Sequence, residues 1–239
     1  MSKRIETAVI LAAGRGTRLQ PYTHDIPKGF MQVGDEKLIE RSIRLLKENG
    51  IKNIIIGTGH LHEQYEDLAL KEDLKTYLSP DFATTGSFHT LCFGRELIKE
   101  DFLLLESDLL YHEAAIQSLL EDQSDDVILC SGFTKSNDEV YVSVQNGLLQ
   151  NLSKKQEELN SVDAELVGIW KISQKLYHQL LKQHVTSSDA LTKDYEKAIA
   201  EEAQNGYRVT VKKLENLAWC EIDNEEHLER AKNLILPRL

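Results

Sequence analysis

The chain has 239 residues, a formal net charge of −11 at neutral pH, and ordinary hydrophobic and charged fractions of 41% and 28%. This negative charge argues against binding to an extended nucleic acid, whose phosphates would be repelled. The sequence contains no apolar run long enough for a signal peptide or a membrane span, and its three cysteines are widely spaced, as is usual for reduced thiols. A cytoplasmic protein is therefore expected.

Strand and helix patterns alternate through the first half of the chain. Apolar runs predict strands, and helical periodicity predicts helices between them. The predicted strands are 8–11, 53–56, 74–78, 102–105 and 127–130, and the predicted helices are 38–49, 62–70, 88–97 and 113–120. This alternation predicts an α/β fold with a mostly parallel sheet and helices on both faces. Ligands of such sheets bind beyond the carboxyl ends of the strands.

The second half changes pattern but contains no linker, repeat or low-complexity tract. Its predicted strands are 139–144, 148–152, 165–172, 207–212 and 218–222, and its predicted helices are 174–181, 189–204 and 225–234. We expect one continuous domain over residues 1–239, which includes a small sub-lobe at about 135–202.

The first predicted strand ends in a glycine-rich loop. The loop residues, which precede Pro27-Lys28, are Leu11, Ala12, Ala13, Gly14, Arg15, Gly16, Thr17 and Arg18. Glycines let main-chain N–H groups approach an anion closely, and arginines add charge and forked hydrogen bonds, so the loop is predicted to hold a nucleoside triphosphate. The lysine ending of a P-loop and the third glycine of a dinucleotide fingerprint are both absent. The structural alternative is a strand-to-helix turn with surface arginines.

Two aspartates are candidate magnesium ligands. Asp108 follows the apolar run at 102–105, and Asp223 precedes the last predicted helix. Magnesium prefers hard oxygen ligands and is commonly held by one or two carboxylates together with phosphate oxygens. The alternatives are a turn or cap role for Asp108 and an N-cap role for Asp223, although Asn224 suits that cap as well.

Residues outside the glycine loop supply further candidates for nucleotide contacts. Lys28 follows a proline that restricts the backbone, and Lys154 follows a predicted strand, so both are candidate phosphate ligands. Most lysines are solvated surface charges, and Lys155 is expected to be one. Backbone groups and hydroxyls for a base or ribose could come from Gly57, Thr58, Thr85, Gly86 and Ser87. Glycines at strand ends are also common without any ligand.

The loop pattern Leu-Ala-Ala-Gly-x-Gly-x-Arg-Leu, followed by Pro-Lys, resembles the signature of nucleoside-triphosphate transferases. Later blocks, at 56–60, 85–87, 103–109, 135–141, 165–169 and 221–225, resemble 2-aminoethylphosphonate cytidylyltransferases across nearly the whole chain. The resemblance implies a Rossmann-like, GT-A-like fold. It implies that CTP and 2-aminoethylphosphonate give CMP-2-aminoethylphosphonate and pyrophosphate. It further implies that Mg²⁺ is held by Asp108 and Asp223, that Arg15 and Lys28 hold the triphosphate, and that Lys154 draws the two anions together.

Acidic and aromatic residues of the second half are candidates for binding an amine-bearing acceptor, because both carboxylates and aromatic faces attract a cation. The selected candidates are Glu139, Tyr141, Glu165, Tyr195 and Trp219, and the wider group also includes Asp138, Trp170, Asp194 and Glu196. Any of them could instead be an ordinary core or surface residue.

Physical reasoning alone leaves the acceptor open. A primary amine favours carboxylates, whereas the quaternary ammonium of phosphocholine cannot donate hydrogen bonds and favours an aromatic cage. A hexose 1-phosphate is a weaker alternative, because it would not require an acidic lobe. A nucleotide-binding regulator without catalysis is the alternative from another class of protein. The sequence leaves the oligomeric state open.

Overall fold

A nine-stranded mixed sheet forms the centre of the part of the chain that the computed structural model describes, residues 4–136 and 139–239. The strands are β1 (Thr7–Ala12), β2 (Gln32–Val33), β3 (Glu36–Lys37), β4 (Asn53–Thr58), β5 (Lys75–Leu78), β6 (Phe102–Glu106), β7 (Leu109–Tyr111), β8 (Val127–Ser131), β9 (Tyr141–Gln145), β10 (Leu148–Ser153), β11 (Ala164–Ile172), β12 (Thr210–Leu214) and β13 (Trp219–Glu221). The main sheet has the order β5-β4-β1-β6-β11-β8-β12-β10-β9. The short strands form the separate pairs β2–β3 and β7–β13.

The helices are α1 (Leu38–Glu48), α2 (His62–Glu72), α3 (Ser87–Phe93), α4 (Ala114–Glu121), α5 (Gln174–Thr186), α6 (Tyr195–Gln204) and α7 (Glu225–Arg230). Two apolar cores cover the two faces of the sheet. Ile43 on α1 and Ile116 on α4 belong to one core, while Leu91 on α3 and Leu180 on α5 belong to the other. The predicted α/β fold, with a mostly parallel arrangement in the first half and helices on both faces, is confirmed.

The parallel part of the sheet brings several strand ends together. β1 is buried along its whole length because it lies between β4 and β6, and it pairs with both in parallel. Leu11 lies opposite Gly57 on one side and opposite Glu106 on the other. The glycine loop therefore starts beside the end of β6, which leads to Asp108.

The predicted sub-lobe contributes strands to the same sheet. β11 pairs in antiparallel fashion with β6 and β8, so the sheet becomes mixed at its middle. β9 and β10 form a hairpin whose turn residues, Asn146 and Gly147, both have positive φ. This hairpin also pairs with β11 and β12.

Several predicted helix boundaries are wrong. α5 ends at Thr186 rather than at residue 181. α6 begins at Tyr195 rather than at residue 189, because residues 189–192 form a separate turn and Asp194, just before the helix, is extended with a ψ of 150°. The last helix ends at Arg230 and continues to Ile235 as a wider π-helical stretch. Within the described ranges, none of the helices combines the length and the apolar character needed to cross a membrane.

Candidate active site

An open cavity of about 320 Å³ lies at the carboxyl ends of β1 and β6. The predicted residues that line it are Leu11, Ala12, Ala13, Gly14, Gly16, Thr17, Arg18, Lys28, Thr85, Gly86, Ser87, Asp108 and Asp223. Further lining residues are Tyr65, Phe82, Thr90, Glu106, Ser107 and Glu221. The fold therefore brings the glycine loop, Lys28 and both candidate magnesium ligands to one place.

The glycine loop has a backbone shape that requires its second glycine. Gly16 has a φ of +60°, in the left-handed region, and its carbonyl accepts a 2.7 Å hydrogen bond from Thr23 Oγ1. Around Gly14, none of the described residues would lie within 4 Å of an added Cβ, so the loop surface there is open. Arg18 reaches from this loop to Asp223, with 3.0 Å between Nη2 and Oδ1.

Three predicted nucleotide contacts do not line this cavity. Arg15 is exposed on the loop. Thr58 is buried in β4, where its Oγ1 donates to Tyr77 O over 3.0 Å. A Cβ on Gly57 would lie 2.5 Å from Tyr77 Oη. Gly57 and Thr58 therefore pack against β5 instead of facing a ligand.

Lys28 lies at the centre of a cluster of carboxylates. Its Nζ donates to Asp108 Oδ2 and Asp223 Oδ1, and it lies 3.8 Å from Glu221 Oε1. Burial acts to lower the pKa of Lys28, but these carboxylates outweigh burial and raise it above its ordinary value. Burial acts to raise the pKa of Asp223, but Lys28 and Arg18 hold it below its ordinary value. Lys28 is therefore a charged link between the two aspartates.

The backbone around Lys28 directs its side chain into the cavity. Pro27, with a φ of −65°, precedes a single 3₁₀ turn that contains Lys28 and Gly29. The turn packs closely, since a Cβ on Gly29 would lie 3.1 Å from Ser107 O and 2.9 Å from Tyr65 Oη. A glycine after Lys28 thus lets the lysine approach the end of β6.

Strand pairing explains why aspartates from distant parts of the sequence meet. β7 pairs with β13 so that Leu109 lies opposite Glu221, and Ile222 N donates to Asp108 O over 3.1 Å. Asn224, not Asp223, caps α7, because the Asn224 side chain accepts a 2.9 Å hydrogen bond from the backbone N–H of residue 227. The carboxylate of Asp223 is therefore directed to the cavity.

The carboxylates beside Lys28 have the chemistry of a magnesium site. Single oxygens of Glu106, Asp108 and Glu221 lie within 4.8 Å of one another. Asp108 Oδ1 is buried and has no hydrogen-bond partner among the described residues, an arrangement that a hard cation would complete. Burial raises the pKa of Glu106 and of Glu221, and neighbouring carboxylates raise both further. The residues present fit Mg²⁺.

Another wall of the cavity is formed by Thr85, Gly86 and Ser87 at the start of α3. Gly86 N donates to the carbonyl oxygen of residue 191 over 2.7 Å. Ser87 Oγ accepts a 3.1 Å hydrogen bond from Tyr195 N. This wall is therefore built against the turn that precedes α6.

A second, narrower cavity of about 40 Å³ adjoins the first and shares Glu106 and Glu221 with it. Its described lining residues include four glutamates, Glu106, Glu139, Glu196 and Glu221, and one large aromatic side chain, Trp219. Burial, reinforced by a neighbouring aspartate, raises the pKa of Glu196 to about 7. Glu196 Oε2 is buried and has no hydrogen-bond partner in the described part of the chain. A bound cation would favour the ionised form of these acids.

The other acceptor candidates are only partly gathered at this cavity. Glu139 lines this cavity, and the hydroxyl of Tyr141 donates a hydrogen bond to Glu139 Oε2 over 3.4 Å. Glu165 is buried and its Oε2 accepts a 2.8 Å hydrogen bond from Thr134 N, while burial raises its pKa. Asp138 lies outside the described residues.

Two further predicted residues line neither cavity. Tyr195 is wholly buried in the core, with its ring edge-on to Trp170 at 6.1 Å between centroids. Lys154 lines a separate groove, between β10 and α6, that also contains Asp194 and Glu196. Tyr195 and Lys154 therefore stay predictions, and the structure does not place either one beside the glycine loop.

The cavity residues that were not selected as site residues from the sequence include Tyr65, Glu106, Glu196 and Glu221. Two of them had a usable signal. Glu106 precedes Asp108 by two positions and Glu221 precedes Asp223 by two, which is the spacing of residues that share a strand face. Tyr65 and Glu196 lie on helices and reach the cavities only through tertiary packing, for which the sequence carries no local pattern.

The profile of the MobA-like NTP transferase domain matches residues 8–167, from β1 to β11. The chain belongs to this family. This NTP transferase is 25% identical over 254 residues to the CTP:phosphoglutamine cytidylyltransferase of Campylobacter jejuni, an alignment that covers 93% of this chain and 97% of that protein. It is 38% identical over 104 residues to the choline-phosphate cytidylyltransferase of Streptococcus pneumoniae, which covers 44% of this chain and 45% of that protein.

Two longer relatives match this chain over only part of their own length. The bifunctional IPC transferase and DIPP synthase of Aquifex aeolicus is 24% identical over 234 residues, covering 97% of this chain and 52% of that protein. The chain thus spans about half of that relative. The CMP-5'-(3-aminopropyl)phosphonate synthase of Streptomyces rubellomurinus is 29% identical over 116 residues, which are 47% of this chain and 18% of that protein.

The solved structure of the inositol-1-phosphate CTP transferase from T. maritima has the same fold, with a TM-score of 0.82, 18% identity and coverage of 98% of this chain and 99% of that chain. This likeness confirms the nucleotidyltransferase fold. Membership of the NTP transferase family confirms the prediction that the chain is a nucleotidyltransferase enzyme.

Proposed function

We propose that this enzyme transfers CMP from CTP to 2-aminoethylphosphonate and releases pyrophosphate. The observation that supports this acceptor is the second cavity, whose described lining residues include four glutamates, one large aromatic side chain and a single arginine, Arg230, so that acidic groups outnumber the basic one. A primary ammonium donates hydrogen bonds to carboxylates, whereas a quaternary ammonium favours aromatic faces. The relatives named as cytidylyltransferases, and the one named for a phosphonate product, support the donor and the acceptor class.

We assign the first cavity to the nucleotide. The amides of the glycine loop, with Arg18 and Lys28, would receive the triphosphate. The wall at Thr85–Ser87 would receive the nucleoside. Arg15, exposed on the same loop, stays our prediction for a further phosphate contact, and Lys154 stays our prediction for a contact that draws the two anions together.

In the proposed reaction a phosphonate oxygen attacks the α-phosphorus of CTP. A new P–O bond forms as the bond to the β-phosphate oxygen breaks, and pyrophosphate leaves in line with the attack. The acceptor is already an anion near neutral pH, so no strong general base is required, and the chain contributes positioning and charge stabilisation. Lys28 would hold phosphate oxygens close to the two aspartates, and Glu106, Glu139 and Glu196 would hold the amine.

We further propose that Mg²⁺ is bound by Asp108 and Asp223, with Glu106 and Glu221 adjacent. The unpartnered oxygen of Asp108, with Glu106 and Glu221 beside it, supports the role of Asp108, and Asp223 stays our prediction for the second ligand. When bound, the ion would offset negative charge on the phosphate oxygens. Phosphocholine is the second candidate acceptor, because the choline-phosphate cytidylyltransferase of Streptococcus pneumoniae is 38% identical over 104 residues and Trp219 offers one aromatic face.

Pyrophosphate release from CTP and Mg²⁺ tests the proposal, with 2-aminoethylphosphonate, phosphocholine and glucose 1-phosphate compared as acceptors. We expect a strong preference for 2-aminoethylphosphonate. Preference for phosphocholine would overturn the acceptor, and no release with any of the three would overturn the proposed reaction.

A variant pair sharpens the test. Glu196→Gln should raise the KM for 2-aminoethylphosphonate about tenfold with little change in the KM for CTP, because it weakens a charged contact to the ammonium. Glu202→Gln, on the same helix but not among the residues lining either cavity, is the matched control. Equal effects of the two substitutions would contradict the role of Glu196.

A further inference from the structure

Lys193 is a buried lysine in the turn between α5 and α6, with a side chain that is 2% exposed. Its Nζ donates to Glu201 and to Ser187 Oγ, and it lies 3.0 Å from Asp189 Oδ1. Burial acts to lower the pKa of Lys193, but Glu201 and Asp189 outweigh it and raise the pKa. The ammonium group is therefore charged, and it ties both ends of the turn to α6.

The backbone of this turn supports one wall of the nucleotide cavity. Leu191 O accepts a 2.7 Å hydrogen bond from Gly86 N, and Lys193 O accepts one of 3.2 Å from Phe88 N. The contact is close, since a Cβ on Gly86 would lie 2.3 Å from Lys193 O. A shift of the turn toward the wall must therefore move the wall, and a shift away from it would break these two hydrogen bonds.

The same turn also sets the start of α6. Tyr195 N donates to Ser87 Oγ over 3.1 Å, and the next residue, Glu196, lines the second cavity. The segment held by Lys193 thus contacts the wall of the first cavity and leads directly into a lining residue of the second.

We propose that Lys193 is a positioning residue that holds Thr85–Ser87 and Glu196 in their relative places through the turn at 187–193. It lines neither cavity in this structure. The assignment of one cavity to the nucleotide and the other to the acceptor rests on the proposed function. The positioning role itself rests on the contacts of Lys193 and of the turn.

Lys193→Met tests this role with limited damage to the fold. Methionine retains most of the apolar stem, and Asp189 and Glu201, whose side chains are 47% and 31% exposed, can be solvated once the ammonium is gone. Lys171→Met is the matched control. Lys171 is also buried, donates to a backbone oxygen of residue 122 over 2.9 Å, and pairs with the start of β6, at the opposite end of the sheet from the cavities.

Hydrogen exchange gives a readout that does not depend on activity. We expect Lys193→Met to accelerate exchange of the amides at 86–88, and Lys171→Met to leave it unchanged. Lys193→Arg should restore a large part of the protection. Unchanged exchange at 86–88 in Lys193→Met would overturn the proposal.

Kinetics provide the second readout. We expect Lys193→Met to raise the KM for CTP and for the acceptor, each about tenfold, with a smaller change in kcat, because both walls move. A fall in kcat at unchanged KM for both substrates would overturn the positioning role. If the wild-type enzyme does not use CTP or 2-aminoethylphosphonate, the proposed function fails, while the exchange measurement still decides the role of Lys193.

Discussion

Replacing Lys28 by methionine removes the cation around which the first cavity is organised. Lys28 Nζ lies 3.8 Å from Glu221 Oε1, and at an effective dielectric constant of about 20 an ionised pair at this distance attracts by about 4 kcal/mol, which holds for this pair when Glu221 is deprotonated. Asp108 and Asp223 are in direct hydrogen-bond contact with the same nitrogen. The substitution therefore leaves carboxylates that repel one another. A bound divalent cation can offset their negative charge.

Two opposite effects are expected of Lys28→Met. Turnover should fall by about 10²- to 10³-fold, the usual loss when one group that stabilises transition-state charge is removed. The affinity of the nucleotide-free enzyme for Mg²⁺ or Mn²⁺ should rise by at least about tenfold, because no ammonium competes for Asp108 and Asp223. A residue that only supported the fold would not raise metal affinity.

Pyrophosphate release measures the first effect, and calorimetric titration with the metal alone measures the second. Lys155→Met is the control, because Lys155 is 68% exposed and forms a surface pair with Glu158, 3.4 Å away. It should leave both quantities unchanged. Equal turnover of the two variants, or an unchanged metal affinity in Lys28→Met, would refute this reasoning.

Three further predictions concern single residues. Asp108→Asn should reduce turnover more than about a hundredfold with little change in melting temperature; normal turnover would exclude a metal role. Gly29→Ala places a Cβ 3.1 Å from a backbone oxygen and should lower kcat about tenfold by displacing Lys28; unchanged kinetics would contradict this. Burial lowers the pKa of His184, and His89, 3.0 Å away, lowers it further. The folded protein with neutral His184 therefore keeps its full stability above pH 6.5 and loses stability as the pH falls below this value. His184→Gln should make the fall in melting temperature on acidification less steep than in the wild-type protein. Parallel melting-temperature profiles of the two proteins would contradict this.

One rule of sheet proteins accounts for part of the cavity. Ligands of parallel sheets bind beyond the carboxyl ends of the strands, and Gly14 and Asp108, which follow the parallel strands β1 and β6, line the cavity there. Lys28 and Asp223 reach the same cavity from a 3₁₀ turn and from the end of β13, which lie outside the main sheet. The rule predicts at which edge of the sheet a residue lies, but not whether that residue faces the cavity. Gly57 lies near the carboxyl end of β4, yet it packs against Tyr77 of β5 instead of facing the cavity.

The second half was harder to predict because its strands are mixed in direction. β10 runs antiparallel to β9, β9 to β11, and β11 to β6, so β10 and β6 run in opposite directions. Lys154, at the end of β10, reaches a groove beside Glu196 rather than the first cavity. The turn before α6 is tied by Lys193 to Glu201, eight residues further along the chain, a contact that helical periodicity does not encode.

From the charges of the first cavity we propose that the nucleotide would bind together with a metal ion. Four carboxylates line it, those of Glu106, Asp108, Glu221 and Asp223, against the cations of Lys28 and Arg18. The raised pKa values of Glu106 and Glu221 reduce the net negative charge of the cavity, but a bound triphosphate would increase it again. Removal of divalent cations with EDTA should therefore weaken CTP binding by at least about tenfold and abolish turnover, with recovery in excess Mg²⁺. CTP binding of equal strength in EDTA would refute the metal site and leave charge compensation to the lysine and arginine side chains.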